Sequence, residues 1–410
     1  MKRILLSLLV TLTPCLLVSQ TPSLPDLSSL YREIDEAIQH SADYVRQKER
    51  TIDRLRADLR QTADPAQRLM LAEQLFWQYK PYKNDSALCY VGLCISLADS
   101  AEQYGLAHRY RALMARQCSN AGMYMESADI LRQVDKARLD REGLTDYYDA
   151  AMHLCGEVAA YTLIPAERDY YYAERDHYRD SLMAVVNPAS DNYLHMQMSA
   201  LCARQLYQDA LKVSDKWLNK VRAGSHEEAY AAYYRHIVYD KLGNAGMTRY
   251  WLARSALDDI RQAVMDQASL ITLAQLLNAD GDLERSYRYI RFTWQSNSFF
   301  NTRMRASQIS PVLNVIEQNY LDASRQFTRL LIFSSVAGTV LAVLLLVLFH
   351  TVRRQKHRLA AAQSLLQEKN DQLEATNHKL QWMNDRMVKN NRQLFEINHR
   401  LQEERQQNMQ

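Results

Sequence analysis

The sequence has 410 residues, 47% of them apolar, with only ten Gly and eight Pro, and its formal net charge is +3. This length allows two or three structural units, and the composition favours helices over turn-rich β structure. A charge so close to balance gives no general reason to expect a nucleic-acid-binding protein. Within 353–410, however, eleven Lys or Arg residues stand against seven Asp or Glu, so the C-terminal segment is basic.

The N-terminal twenty residues, MKRILLSLLVTLTPCLLVSQ (1–20), have the order of a secretory signal peptide. Two basic residues precede an apolar run, which small or polar residues follow. Cleavage is predicted near Ser19 or Gln20. An uncleaved membrane anchor is the alternative, but Pro14 interrupts the apolar run, which is short for a span. Cys15 could mark a lipoprotein, although apolar residues continue after it.

Between 24 and 325, apolar residues recur at helical spacing and no alternating strand pattern stands out. Several segments resemble the second half of a tetratricopeptide repeat, in which a small residue lets two helices cross closely. Gly243 and Gly281 are 38 residues apart, close to one helix-hairpin period. We therefore expect a solenoid of helical repeats, with an irregular helical bundle as the alternative. The segments, with their candidate crossing residues, are AGMYMESADIL (121–131, Ala128), ARQLYQDAL (203–211, Ala210), KLGNAGMTRYWLARSAL (241–257) and NADGDLERSYRYI (278–290, Ser286).

The predicted exported region has no motif for catalysis or metal binding, since Gly-rich phosphate loops, GxSxG, HExxH and CxxC are all missing. No cofactor or metal ion is predicted, and an enzyme is the least favoured class. The five cysteines after the signal peptide are odd in number, so they cannot all pair. Cys118 and Cys202 are predicted in the core, where repeat helices need small apolar residues. A disulfide between Cys89 and Cys94 is not expected, because helical residues five apart point to different faces.

Three adjacent tyrosines, Tyr170, Tyr171 and Tyr172, form the candidate ligand surface of this region. Three consecutive side chains cover most of the circumference of a helix, so these three cannot all face one core. At least one is expected at the surface, where tyrosine is favoured in recognition. The alternative is that they pack against a neighbouring repeat with their hydroxyls in water.

A second apolar run, LLIFSSVAGTVLAVLLLVLF (330–349), has twenty residues and no charge, enough to span a bilayer as a helix. Basic residues follow it, among them Arg353 and Arg354, and the positive-inside rule therefore places 353–410 in the cytoplasm. The predicted location is the bacterial inner membrane, with the preceding region in the periplasm. Small residues at four-residue spacing are candidates for close packing of two membrane helices. They are Ser334, Gly338 and Ala342.

The C-terminal segment 353–410 carries the heptad repeat of a parallel coiled coil. Core position d is Leu or Met throughout, and core position a is Asn in five successive heptads. Asparagine at a aligns two parallel strands but weakens the seam, because buried amides replace apolar contacts. We therefore expect a marginal homodimer that a modest change can switch, with a permanent spacer or a solvated single helix as alternatives. The predicted interface consists of Leu359, Leu366, Asn370, Leu373, Asn377, Leu380, Asn384, Met387, Asn391, Leu394, Asn398 and Leu401.

Two N-terminal stretches, LSSLYREIDEAIQHSADYVRQKERTIDRLRADL (27–59) and LAEQLFWQYKPYKNDSALCYVGLCISLA (71–98), resemble a bacterial membrane-protein family of unknown function. The resemblance implies an exported tetratricopeptide-like domain, one membrane helix and a cytoplasmic coiled coil. Longer members resemble regulators that continue past the coil into a C-terminal helix-turn-helix. This sequence reaches EERQQNMQ (403–410) without such a module, so any output module is expected to be missing or to lie elsewhere, and direct nucleic-acid binding by this chain is not expected.

Together these patterns predict an all-α, single-pass sensor or regulatory protein. Its repeats would bind a peptide, glycan or protein partner, and its coil would signal to the cytoplasm. A membrane-anchored scaffold for protein–protein interaction is the main alternative. A truncated sensor histidine kinase with His399 as phosphoacceptor is a further one, but Arg400 stands where an acidic residue is usual and no Pro follows.

Overall fold

The computed structural model describes residues 26–408, and the predicted signal peptide lies outside these residues. The described residues contain fifteen α-helices, one 3₁₀ turn at Lys136–Arg138 and no strand, which confirms the all-α prediction. The helices are α1 (Leu27–Gln39), α2 (Ser41–Gln61), α3 (Pro65–Tyr79), α4 (Asn84–Ser100), α5 (Tyr104–Asn120), α6 (Tyr124–Arg132), α7 (Arg141–Tyr161), α8 (Pro165–Val185), α9 (Asp191–Ala203), α10 (Tyr207–Leu218), α11 (His226–Lys241), α12 (Ala245–Arg261), α13 (Ala268–Ala279), α14 (Leu283–Phe300) and α15 (Arg303–Gln407).

Short turns with a left-handed residue connect the helices within the predicted repeats. Gly122, Gly243 and Gly281 have positive φ between α5 and α6, α11 and α12, and α13 and α14, respectively. Glycine adopts this conformation without steric penalty. Gln205 occupies the same position between α9 and α10, so the turn geometry persists where the sequence lacks its glycine signal. The predicted repeat segments therefore mark real helix hairpins.

Small side chains lie where the two helices of a hairpin cross. Ser286 is fully buried and donates its hydroxyl to a carbonyl of α13 at 2.7 Å, and Ala210 is fully buried as well. In the first predicted segment, the residue at the crossing is Ser127, which is fully buried and donates to a carbonyl of α5 at 2.8 Å. The predicted residue Ala128 is only half-buried. That prediction was wrong by one position, because spacing alone does not determine which of two adjacent small residues faces the partner helix.

The first helix packs against the last repeats. It contributes Leu30, Ile34 and Ala37 to a hydrophobic cluster that otherwise comes from α12, α13, α14 and the start of α15. The carboxylate of Asp35 on α1 lies 3.3 Å from Arg285 and 3.2 Å from Arg288, both on α14. Because α1 also continues into α2, which packs on α3, and Met196 of α9 clusters with Leu182 of α8, the helix contacts close into a cycle.

The turn between α3 and α4 forms a second junction with the C-terminal repeats. The backbone N–H of Met265 donates to the carbonyl of Pro81 at 2.9 Å. The rings of Tyr82 and Phe299 lie 5.0 Å apart between centroids, and the Tyr82 side chain is fully buried. Residues 27–322 thus form a closed array of repeats, which we call the repeat ring.

The described chain divides into two compact units, one up to Asp322 and one from Ala323 onward. The second unit contains only the remainder of α15. This helix is long and apolar enough to cross a membrane, and the apolar run 330–349 lies within it. The predicted boundaries around this run fall inside α15, so no helix end marks them.

Candidate functional site

The predicted tyrosine cluster lies near the start of α8. Tyr170 is exposed, whereas Tyr171 and Tyr172 are half-buried. The rings of Tyr170 and Tyr171 meet edge-on at 5.2 Å, and the guanidinium of Arg175 stacks on Tyr172 at 4.7 Å. All four residues belong to one helix, so the cluster forms a surface patch and encloses no cavity. Its role in ligand binding stays a prediction.

Polar side chains from several helices lie near one another within the repeat ring. The charges of Arg116 on α5 and Asp149 on α7 act on the pKa of both His195 on α9 and Tyr230 on α11. Side chains of four helices are therefore close enough to influence one another. We call this region the ring interior, and its polar side chains include Lys80, Arg116, Asp146, Asp149, His153, Glu157, His195, Tyr230, Tyr233, Tyr234 and Arg305.

Side-chain hydrogen bonds between neighbouring repeats form one wall of this interior. The Nε of Arg116 donates to Asp149 at 2.9 Å, and the hydroxyl of Ser119 lies 2.8 Å from Nδ1 of His153. Burial, together with the positive charges of Arg116 and Arg305, lowers the pKa of His153 well below its usual value. The imidazole is therefore neutral at physiological pH, so it adds hydrogen-bonding capacity to this wall without adding charge.

Aromatic rings form the wall contributed by α9 and α11. The ring of His195 lies 3.9 Å from Tyr234 and 5.9 Å from Tyr230 between centroids. Trp217 is fully buried and packs 5.7 Å from Tyr230. The Tyr230 hydroxyl donates to that of Tyr234 at 3.3 Å. Flat apolar faces with hydroxyl groups at their edges suit a ligand that combines an apolar group with polar ones.

Lys80 introduces a positive charge that stacks on an aromatic ring and lies near the carboxylates of Asp146 and Asp149. Its ammonium lies 4.6 Å from the centroid of Trp77. Burial, assisted by the nearby Arg116, lowers the pKa of Lys80. By contrast, the guanidinium of Arg305 is held by Asp266 at 2.6 Å. Since a desolvated cation gains more from an anion than an exposed one does, Lys80 is suited to contact an anionic group of a ligand.

The thiols provide no second chemistry. Cys118 is buried, Cys202 is half-buried, and all five described cysteines are free. Burial raises the pKa of Cys118 to about 11, which keeps the thiol protonated and unreactive. Between residues 26 and 408, no three His, Cys, Asp or Glu side chains gather as a metal site would require.

The predicted dimer interface lies along α15. Its leucines are well exposed in the single chain, from Leu401 at 52% to Leu366 at 67%. The small residues Ser334, Gly338 and Ala342 are also exposed on this helix. The structure contains one copy of the chain, so pairing through either set stays a prediction.

The sequence patterns did not predict the ring interior, although the sequence contains a signal for it. Complementary polar residues recur at one-repeat spacing, because equivalent positions on neighbouring repeats meet across the interior wall. Neither partner stands out alone, since each looks like an ordinary helix-surface residue. Three hydrogen-bonded pairs show a spacing of 33 residues, namely Asn84 with Gln117, Arg116 with Asp149, and His226 with Asp259.

Two comparisons with known proteins bear on these observations. Among curated proteins, none matches the chain. A family model described as the SusR N-terminal TPR domain matches residues 38–311, a range that contains most of the repeat ring and its interior. This match confirms the predicted tetratricopeptide-like repeats, which in general mediate interactions and not catalysis. The chain therefore belongs to the family of the SusR N-terminal TPR domain.

Proposed function

We propose that this protein is a single-pass membrane sensor or regulator, whose repeat ring binds a ligand in its interior and whose coiled coil relays the bound state. The observation that carries this proposal is Lys80, a half-buried cation that stacks on Trp77 and whose neighbour Arg116 also lies close to Tyr230 of the aromatic wall. A repeat ring that served only to hold other proteins at the membrane would need no such interior.

The favoured ligand is a peptide with a carboxylate and an apolar side chain. The carboxylate would pair with Lys80, and the apolar group would pack on the rings of Tyr230 and Tyr234. A neutral glycan could stack on the same tyrosines but would make no charge pair with Lys80. A protein partner would contact the ring through an extended segment in the same manner.

The proposed topology rests on the sequence patterns at both ends of the chain. The segment 1–20 would direct export, and 330–349 would span the inner membrane. The excess of basic residues after the span supports a cytoplasmic coil. Ligand binding in the periplasm would then change the pairing of two coils in the cytoplasm.

Disulfide crosslinking in cells tests the relay. Single cysteines replace Leu373 or Leu394 in a variant whose native cysteines are replaced by alanine. We expect the fraction of crosslinked dimer to depend on the growth condition, and Lys80→Gln to abolish that dependence. Lys83→Gln is the matched control, because Lys83 lies next to the ring junction and stacks on Phe299 at 5.3 Å.

Crosslinking that stays constant in every condition that changes the regulated output would favour the scaffold. Condition-dependent crosslinking that persists in Lys80→Gln, but is lost on substitution of Tyr170, would move the ligand site from the ring interior to the surface of α8.

A further inference from the structure

The C-terminal half of the coil carries more apolar side chains than one seam requires. Besides the d positions, Met383 and Ile397 at heptad position g are about half exposed, at 49% and 54%. The two equivalent positions immediately upstream are Lys369 and Thr376, which are polar, and the one before them is the small residue Ala362. A large apolar side chain at g appears only after residue 380.

These g residues combine with the d residues into a second regular pattern. Read from Leu380, spacings of three and four alternate without interruption, which is the signature of a coiled-coil seam. A helix that lies on a lipid surface would turn an unbroken apolar face to the lipid, whereas Asn384, Asn391 and Asn398 lie between the d and e positions of this one. The residues of this pattern, which we call the d/g seam, are Leu380, Met383, Met387, Asn390, Leu394, Ile397 and Leu401.

We infer that residues 380–401 of α15 form a second self-association surface, the d/g seam, which binds a second copy of this chain as an alternative to the a/d seam. The inference rests on the proposed dimeric function. Both seams share Leu380, Met387, Leu394 and Leu401, so the two pairings exclude each other. Exchange between them requires each helix to rotate by about 50–60° about its own axis, given the angular spacing of heptad positions.

Charge complementarity upstream of residue 380 identifies the partner as a parallel, in-register copy. In the a/d pairing that forms there, position g of one helix meets position e of the other helix five residues further along. Lys369 at g then faces Glu374 of the second copy at e, and the reverse contact forms by symmetry. The same alignment brings Met383 and Ile397 against their own counterparts, as a symmetric seam requires.

The two halves of the coil favour different seams. Before residue 380, the d/g pairing would bury Lys369, so the a/d seam is favoured there. After residue 380, the a/d seam buries Asn384, Asn391 and Asn398, whereas the d/g seam buries a single amide, that of Asn390. Fewer buried amides favour the d/g seam in the second half.

Two exposed side chains keep the alternatives close in free energy. Val388 and Phe395 lie at position e, beside the a/d seam, where they gain contacts only in that pairing. Met383 and Ile397 gain contacts in the other. Because the two pairings have similar free energies, a modest input from outside the coil can shift the population from one to the other.

Cysteine crosslinking of the full chain in native membranes tests this inference. Single cysteines replace Met383 or Ile397 at g, and Asn384 or Asn398 at a, in the cysteine-free variant. We expect the g cysteines to form dimers at rates within about threefold of the a cysteines, because both pairings are populated. The matched control is upstream, where Asn370→Cys should react about tenfold faster than Lys369→Cys, because only the a/d seam forms there.

The outcomes distinguish a failure of the second seam from a failure of the proposed dimer. If Met383→Cys and Ile397→Cys react as slowly as Lys369→Cys, the second seam does not exist, while the proposed dimer stands. If Asn370→Cys and Leu373→Cys also fail to crosslink, the dimer itself is wrong. As an independent variant, Met383→Gln combined with Ile397→Gln should abolish crosslinking through Asn390→Cys and leave crosslinking through Leu373→Cys unchanged. Loss of both would contradict a surface confined to 380–401.

Discussion

The repeat ring and the C-terminal part of α15 differ in where their side chains find partners. In the ring, Trp217, Tyr289 and Ile34 are fully buried, and distant helices bond to one another. From Ala323 onward, the described side chains of the single chain are exposed, including every predicted seam residue. The ring therefore obtains its stability from contacts within one chain, whereas under the proposed function the second region would depend on lipid and on another helix. Substitutions should consequently act on folding in the ring and on association in the coil.

The largest effect is expected for Trp217→Ala in the ring. Removal of this fully buried indole side chain leaves a cavity among the aromatic residues of α9 and α11. The cavity should lower the free energy of unfolding by about 3–5 kcal/mol. Urea unfolding of the full chain in lipid nanodiscs, followed by circular dichroism, measures it. Trp294→Ala is the control, because Trp294 is 36% exposed and its loss should cost within about 1 kcal/mol. Equal losses would contradict the placement of Trp217.

The next largest effect concerns closure of the ring by α1. Asp35→Asn removes the carboxylate that faces Arg285 and Arg288, and should lower the free energy of unfolding by about 1–3 kcal/mol, because two partly buried guanidinium groups each lose one of their two anionic partners. In the control Glu33→Gln, the more exposed pair with Arg261 at 3.0 Å is lost, which should cost at most about 1 kcal/mol. The same nanodisc experiment compares them, and a larger loss for Glu33→Gln would show that α1 is not docked as described.

In the coil, Asn391→Leu should strengthen association and leave ring stability unchanged. Replacing an amide at core position a by an apolar side chain should stabilise the paired state by about 1–2 kcal/mol. Sedimentation equilibrium of the full chain in detergent measures this as a lower dimer dissociation constant. Lys389→Leu places the same side chain at the outer position f and serves as the control. A comparable gain from Lys389→Leu would indicate non-specific association.

The smallest effect is a pH dependence located in the ring. Burial lowers the pKa of His195 to about 4, below the ordinary histidine value. As the pH falls from about 6.5 towards 4, the unfolded chain therefore takes up a proton that the folded ring does not, and stability decreases. Between pH 7.5 and 5, the wild type should lose about 1 kcal/mol more than His195→Asn, a value reduced for the partial exposure of the imidazole.

The test compares how the free energy of unfolding changes with pH in the wild type and in His195→Asn, because the change in the wild type alone also contains the contributions of other groups. Burial raises the pKa of the Asp258 carboxyl to about 7, so this group contributes stability that is lost as the pH rises through 7. Its contribution has the opposite sign and is present in both proteins. Unfolding curves are measured at pH 5 and pH 7.5. If the wild type and His195→Asn lose the same free energy of unfolding between these pH values, the folded-state pKa of His195 is not depressed.

The sequence by itself determined the features that depend on local periodicity. The helical hairpins, the turns at Gly243 and Gly281, the apolar run and the heptads each repeat within a few dozen residues. Their physical cause is the geometry of one helix or one hairpin, so neighbouring residues suffice to reveal them. The crossing residue of the first predicted repeat shows the limit, since Ser127 and Ala128 are both small and only packing distinguishes them.

Only the tertiary structure decided that the repeats close into a ring and what lines the interior. The contacts that close the ring join residues 228 to 258 positions apart, as in Arg261 with Glu33 and Tyr289 with Tyr31. No periodic pattern encodes such pairs, because they depend on how curvature accumulates over many repeats. Lys80 illustrates the consequence. In the sequence it is an ordinary lysine at the end of α3, and only the folded structure buries part of it and places it near Arg116, Asp146 and Asp149 of later helices.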